Sequence, residues 1–298
     1  MVQRIGITGG AMRPDLLLPA PHVCHKPPRP SRGGFRYFCP MLLHHLDQGQ
    51  GRPLVILHGL FGTLDNWQTL ARRWATEADL RVISVDLRNH GRSFHNPEHT
   101  YAAMAQDVLA LFDHLQLGPD TTLMGHSMGG KVAMRLALDH PERLARLIVV
   151  DIAPRFSNME HQDDILAGLQ SVDFTTCTNR QEADAALTKH VPNLGTRQFL
   201  LKNLYRKEDN SFAWRINLAV LAAQLPAVGE ATIGEPFGKP ALFIRGGKSN
   251  YITADDKLHG IPALFPNSEV ATVVDAGHWV HAEKPEEVFG LVRAFTQQ

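Results

Sequence analysis

Cysteine is scarce in this sequence, and what there is lacks pattern. Cys24, Cys39 and Cys177 are odd in number and share no C-x-x-C spacing, which speaks against a disulfide framework and fits a reducing compartment. A surplus of charge is missing too: 30 Lys and Arg balance 30 Asp and Glu, so no basic excess points to nucleic acid or an anionic membrane. No apolar run approaches the roughly 18 residues of a membrane helix, and Leu16-Leu17-Leu18 is too short for the apolar part of a signal peptide. Sixteen histidines are many for 298 residues, yet most are scattered singly, and no H-E-x-x-H occurs to suggest zinc. What remains is a chain with 44% apolar residues, able to bury a large core as one α/β domain or as a core carrying an inserted subdomain.

Residues 1–40 stand apart. Pro14, Pro19, Pro21, Pro27, Pro28, Pro30 and Pro40 interrupt any helix, and Asp15 is the only acidic residue. Such a composition predicts a mostly disordered extension. Its poverty in acidic residues admits a transit-peptide reading, against which the prolines stand; a start codon placed upstream of Met41 explains the segment equally well.

From Met41 onward, apolar strand signals alternate with helical spacing. Leu54–Leu57, Arg81–Val85, the run opening at Thr121, and Leu147–Val150 read as strands. Asp65–Trp74 and Tyr101–Leu115 read as helices, the second with Met104, Val108, Leu111, Phe112 and Leu115 along one face. After Ala153-Pro154 the rhythm changes: residues 155–238 show no strand, only helical stretches at Asp163–Leu169, Gln181–His190, Thr196–Tyr205 and Ile216–Leu225. The alternation resumes with Ala241–Ile244, a helix from near Thr253, the strand Val270–Val274 and a last helix Pro285–Phe295. Near-continuous apolar strands alternating with helices predict an α/β fold with a mostly parallel sheet covered on both faces. Residues 41–154 and 239–298 form its core, and 155–238 a helical insertion. An inserted lid over the strand ends is where a substrate pocket forms. Phe199, Leu200, Leu204, Trp214, Leu218 and Leu221 could line an acyl site there, although packing the insertion onto the core is the more ordinary role for each.

The stretch Thr121 to Leu138 carries the chemistry. An apolar run turns at Gly125-His126-Ser127-Met128-Gly129 into a helical pattern, the G-x-S-x-G arrangement in which a strained turn lifts a serine clear of the sheet. Gly125 and Gly129 lack the Cβ atoms that would keep strand and helix apart, and the helix N-terminus brings its unpaired N–H groups beside Ser127. A serine hydroxyl needs a base, and the base needs an orienting acid. In the order Ser, acid, His, the base is His278, directly after the last strand and an Ala-Gly turn; His281 reads as packing. Two backbone donors would receive an oxyanion: the N–H of Met128, and one from His58-Gly59-Leu60-Phe61-Gly62, preferably Leu60 with Phe61 as the near alternative. His58 itself reads as a loop-ordering side chain.

The acid is the informative part. Most serine hydrolases of this arrangement carry an Asp in the loop after the strand that follows the lid, here Arg245-Gly246-Gly247-Lys248-Ser249-Asn250, which holds no carboxylate. Asp255 and Asp256 come later and read as dipole partners at a helix start. Asp151 ends the strand next after the nucleophile helix and points to the same edge, so it takes the orienting role, with Ser249 as a secondary hydrogen-bond partner. Phe61, Trp214 and Trp279 are the candidate pocket residues.

At these residues the chain resembles the α/β-hydrolase superfamily, and within it the YbfF-type esterases and their eukaryotic mitochondrial relatives. The resemblance runs from Met41 onward and rests on HGLFGTLDNW (58–67), DLRNHGRS (86–93), YAAMAQDV (101–108), GHSMGGKVAM (125–134), VDIAP (150–154), WRINLAVL (214–221), ALFIRGGKSNYI (241–252) and GHWVHAEKP (277–285). It implies a triad of Ser127, His278 and Asp151 and a broad esterase or acyl-thioesterase activity on short acyl groups, sometimes acyl-CoA. A cofactor-free ester or thioester hydrolase acting on a small molecule in the cytoplasm is therefore expected, or in the mitochondrial matrix if the extension is a transit peptide. No nucleic-acid partner, stable membrane insertion or metal is expected. Haloperoxidase-like or C–C bond hydrolysis on the same scaffold, and a non-catalytic ligand binder, are the alternatives.

Overall fold

The computed structural model of the protein describes residues 41–298; the expectations for residues 1–40 lie outside them. Seven strands form one sheet: β1 (His45–Gln48), β2 (Arg52–Leu57), β3 (Leu80–Val85), β4 (Thr122–His126), β5 (Arg146–Val150), β8 (Ala241–Gly246) and β9 (Ser268–Val273). Their order is β1-β3-β2-β4-β5-β8-β9, with β1 antiparallel to β3 and every other neighbouring pair parallel. Parallel neighbours need crossovers, and helices supply them: α1 (Gln68–Glu77), α2 (Tyr101–His114), α3 (Met128–Asp139) and, beyond β8, the single turn α9 (Ile261–Leu264). The chain closes with α10 (Val280–Glu283) and α11 (Pro285–Thr296).

Successive strand residues face opposite sides. Leu54, Ile56, Ile148 and Leu242 pack with Trp74 of α1 and Val288, Val292 and Phe295 of α11. Val55, Leu57, Leu147 and Phe243 pack with Met104, Val108 and Phe112 of α2 and Val132 and Leu136 of α3. Burial on both faces is why these strands read as unbroken apolar runs. The central strand is β4, and the turn at Ser127 caps it.

β5 and β8 are paired neighbours, yet residues 151–240 lie between them. That connection holds α4 (Asp163–Gln170), α5 (Arg180–Thr188), α6 (Leu194–Leu200), β6 (Leu204–Arg206), β7 (Phe212–Trp214), α7 (Leu218–Ala223) and α8 (Leu225–Gly229). It has an apolar cluster of its own, built on Leu166, Leu169, Leu187, Leu200, Trp214 and Leu221, into which Phe61 of the β2–α1 loop inserts. Its two ends are tied together where they leave the sheet. Ser157 N–H donates to Gly229 O (2.8 Å) and Thr232 N–H to Pro154 O (2.7 Å). The buried Lys131 Nζ of α3 donates to Arg155 O (2.6 Å), Glu230 O (2.6 Å) and Pro154 O (3.3 Å).

Several sequence expectations need correction. The connection is not strand-free: β6 and β7 form an antiparallel hairpin, each strand three residues long and too short to show alternation. Its turn is set by Lys207 N–H to Ser211 O (2.8 Å), with Asn210 in the left-handed region at φ 66°. The helix expected over Thr196–Tyr205 therefore stops at Leu200. The stretch expected as one helix over Ile216–Leu225 is broken into α7 and α8, with Pro226 in the first turn of α8. The helix expected from near Thr253 is present: residues 254–264 are helical throughout, one wide turn at Asp256–Gly260 leading into α9. The edge strand β1 gave no sequence signal.

Candidate active site

The turn at Ser127 owes its shape to missing side chains. A Cβ on Gly125 would lie 2.1 Å from Gly129 O, and one on Gly129 would lie 2.5 Å from His58 O and 2.6 Å from Leu57 O, so β2, β4 and α3 meet backbone to backbone. Ser127 between them is held at φ 53°, ψ −119°, a conformation costing roughly 1–3 kcal/mol that only a firmly packed turn sustains. Its N–H is fixed to Val150 O at 3.0 Å. Asp151, which follows β5, also has positive φ (50°), and its N–H is tied to Ile244 O (2.8 Å).

These two turns and the loop after β9 converge. His278 Nε2 lies 3.0 Å from Ser127 Oγ, and His278 Nδ1 lies 2.8 Å from Asp151 Oδ2. The Asp151 side chain is fully buried and the His278 side chain is 23% exposed. Asp151 Oδ1 accepts from Gly246 N–H (2.9 Å), and Oδ2 also accepts from Ser249 Oγ–H. Facing a carboxylate, Nδ1 of His278 is the N–H donor, which leaves Nε2 as an acceptor toward Ser127 Oγ–H. The carboxylate-free RGGKS loop thus contributes two donors to an acid placed one strand away.

The ring of His278 is sandwiched. Tyr251 stacks on it with centroids 4.0 Å apart and planes at 23°, and His126 lies 4.7 Å away with Nε2 2.9 Å from His278 O. His281 is half-buried, and its ring stacks on Trp67 at 4.1 Å. Burial first, then the nearby His278 and Lys202, push His281 down to about 3; it makes no bond to Ser127, and packing is its role. His126 is held well below its ordinary value by burial and by His278 and His281.

The β2–α1 turn is ordered by buried imidazoles. His58 Nδ1–H donates to Gly59 O (2.8 Å) while Nε2 accepts Leu87 N–H (3.0 Å), the loop-ordering role expected of it. His90 Nδ1–H donates to Arg88 O (3.0 Å) while Nε2 accepts Phe61 N–H (3.2 Å). Phe61 N–H is therefore engaged, whereas the N–H groups of Leu60 and Met128 have no acceptor among the described residues. Both residues border a small recess of about 20 Å³ beside Ser127.

A larger cavity of about 360 Å³ opens over Ser127 and His278, walled by Leu60, Phe61, Trp67 and Trp279 from the sheet side and Ile165 and Phe199 from the β5–β8 connection. Phe199 and Trp279 touch across it, ring centroids 4.2 Å apart. Trp214 is a correction: it does not line this cavity. Its indole is buried inside the connection, packed edge-on against Phe174 at 5.3 Å and donating to Leu169 O (2.9 Å), because a large ring with one donor is best satisfied within an apolar cluster that offers a carbonyl. Leu200 and Leu221 belong to the same cluster. Asp256, expected at a helix start, is buried and bound to Arg155 Nε (3.0 Å) and Thr253 N–H (2.8 Å). Tyr251 and His126 were not anticipated, because their contacts with His278 span stretches of sequence that carry no motif linking them. Among the described residues no group of three or more His, Cys, Asp or Glu could hold a metal ion.

Residues 52–285 match the alpha/beta hydrolase fold family. The chain belongs to that family. It is 40% identical over 263 residues to a mouse protein named sn-1-specific diacylglycerol lipase ABHD11, covering 86% of this chain and 85% of that one. It is 39% identical over 252 residues to esterase YbfF of Escherichia coli, covering 84% and 94%. Among solved structures, a marine microorganism esterase superposes with a TM-score of 0.82 at 35% identity, over 86% of this chain and 99% of that one. The protein is accordingly a hydrolase enzyme of the esterase and lipase type. Among the described residues of this hydrolase, no helix is long and apolar enough to cross a membrane.

Proposed function

We propose that this hydrolase cleaves carboxylic esters or acyl thioesters of small molecules, with short to medium acyl groups including acyl-CoA, through a serine acyl-enzyme. The observation that carries the reading is the unbroken line from Ser127 Oγ through His278 to the buried Asp151, opening on an apolar-walled cavity. Ser127 Oγ adds to the acyl carbon as His278 Nε2 takes its proton, and Asp151 stabilises the imidazolium and its orientation. The N–H groups of Leu60 and Met128 receive the oxyanion; engagement of Phe61 N–H by His90 supports Leu60 over its neighbour. His278 then protonates the departing alcohol or thiol, and a water deprotonated by the same imidazole releases the acid. Residues 155–238 act as a lid, since Ile165 and Phe199 close one wall of the cavity. The scarcity of cysteine favours a reducing compartment such as the cytoplasm.

Turnover of p-nitrophenyl acetate and butyrate tests the assignments. Ser127→Ala and Asp151→Asn are each expected to lose about 10⁴ in kcat, and near wild-type activity in either would remove that residue from the mechanism.

A further inference from the structure

Phe61 is gripped from both sides. It is the one residue of the 58–62 turn with positive φ, at 59°, a conformation that a bulky side chain adopts only when its surroundings impose it. Its N–H donates to His90 Nε2 (3.2 Å), and its C=O accepts from Asn203 Nδ2 (2.7 Å). His90 and Asn203 are both fully buried. His90 comes from the core, but Asn203 lies in the β5–β8 connection, between α6 and β6. The second Asn203 amide hydrogen goes to Leu200 O (3.2 Å), and two carbonyl partners leave only one orientation of the side chain. Asn203 O in turn accepts Arg215 N–H (2.8 Å).

The conformation of Phe61 decides where Leu60 N–H points. With Phe61 left-handed, Gly62 N–H reaches back to Gly59 O (2.9 Å), which His58 Nδ1–H also holds. Gly59 O and Leu60 N–H belong to one planar peptide unit, so fixing the oxygen fixes the direction of the hydrogen.

We infer that Asn203 is a positioning residue for the oxyanion-binding N–H of Leu60, making that donor's aim depend on the seating of the β5–β8 connection. The inference rests on the acyl-enzyme reading and adds to it a coupling: the connection that walls the cavity also holds the oxyanion site in shape.

The test compares two ties from the same connection to the core. Asn217 makes the other: its N–H donates to Asn89 O (2.9 Å) and its Nδ2 to Asn89 Oδ1 (3.1 Å), without touching Phe61. Asn203→Ala is expected to lower kcat about 10- to 100-fold, short of losing a donor outright, with KM within about twofold. It should weaken inhibition by a short-chain trifluoromethyl ketone, whose serine adduct places an oxyanion in the site, by the same factor. Asn203→Leu, similar in size and without a donor at any pH, should behave alike and serves if the alanine variant does not fold. Asn217→Ala should leave ketone potency within about twofold. Wild-type kcat and ketone potency in Asn203→Ala, or equal losses in Asn203→Ala and Asn217→Ala, would overturn the inference while the hydrolase reading stands. Wild-type protein that neither turns over esters nor reacts at Ser127 with a fluorophosphonate would sink that reading, and this inference with it.

Discussion

Ser249 stands in a loop that holds no carboxylate, and its hydroxyl donates to Asp151 from the neighbouring strand. Asp151 is fully buried, so each of its three donors offsets part of the cost of keeping a charge out of water. Removing one should raise that cost without displacing the carboxylate, because Gly246 N–H and His278 remain. Ser249→Ala is therefore expected to reduce kcat/KM about tenfold, equivalent to the ~1.4 kcal/mol typical of one hydrogen bond to a charged group. Steady-state turnover of a nitrophenyl ester measures it, and unchanged turnover would make the Ser249 contact incidental. Tyr251, two residues on, stacks on the imidazole that Asp151 holds, so one loop touches both Asp151 and His278.

At the scale of elements, the decisive link is between α3 and the two ends of the β5–β8 connection. Lys131 is fully buried and donates to three backbone carbonyls there. Burial, followed by repulsion from Arg155, lowers its amine to about 8, which leaves it mostly protonated at neutral pH and able to serve all three acceptors. Lys131→Met keeps the length of the side chain and removes the donors, leaving carbonyls unpaired, and should cost about 3 kcal/mol or more. Thermal melting together with limited proteolysis tests this: the melting point should drop and cleavage within 155–238 should accelerate, whereas unaltered cleavage would deny Lys131 its fastening role. Elements were unevenly legible in the sequence. The β4–α3 turn could be read because its geometry demands glycine at fixed positions, and Asp151 because the RGGKS loop offered no carboxylate. The hairpin β6–β7 could not, since three-residue strands carry no period. Trp214 misled because an apolar side chain in an inserted segment looks the same whether it faces a ligand or its own cluster. Asn203 gave no signal, because its partner Phe61 lies 142 positions away.

Across the whole molecule, neutral buried histidine is a recurring component. Burial lowers His58 to about 4 and His90, His99 and His281 to about 3, and holds His126 well below its ordinary value. Unfolded, each would take up a proton near 6.5. Between that value and the depressed folded one, the unfolded chain binds more protons, so stability is complete above about pH 6.5 and is lost as the pH falls toward 4. Each histidine contributes up to about 1.4 kcal/mol per pH unit in that window, a large fraction of the ~5–15 kcal/mol that holds a typical domain together. The urea midpoint should therefore fall steadily from pH 7 to pH 5, and a midpoint independent of pH over that range would contradict the neutral assignment. His58 and His90 hold the 58–62 turn as acceptors and donors of fixed hydrogen, so activity should fail on acidification no later than the fold does.

The cross-linked neck of the β5–β8 connection has a consequence for how such a molecule can change. Ser157 bonds to Gly229 and Thr232 to Pro154, so the chain leaves and re-enters the sheet through a single narrow gate, whatever lies between. Strand register and the line from Ser127 to Asp151 are set on the sheet side of that gate. Inside the connection, Asn203 reaches back to Phe61 and Asn217 to Asn89, so a transplanted segment would need to bring its own equivalent of Asn203 to be more than a cover.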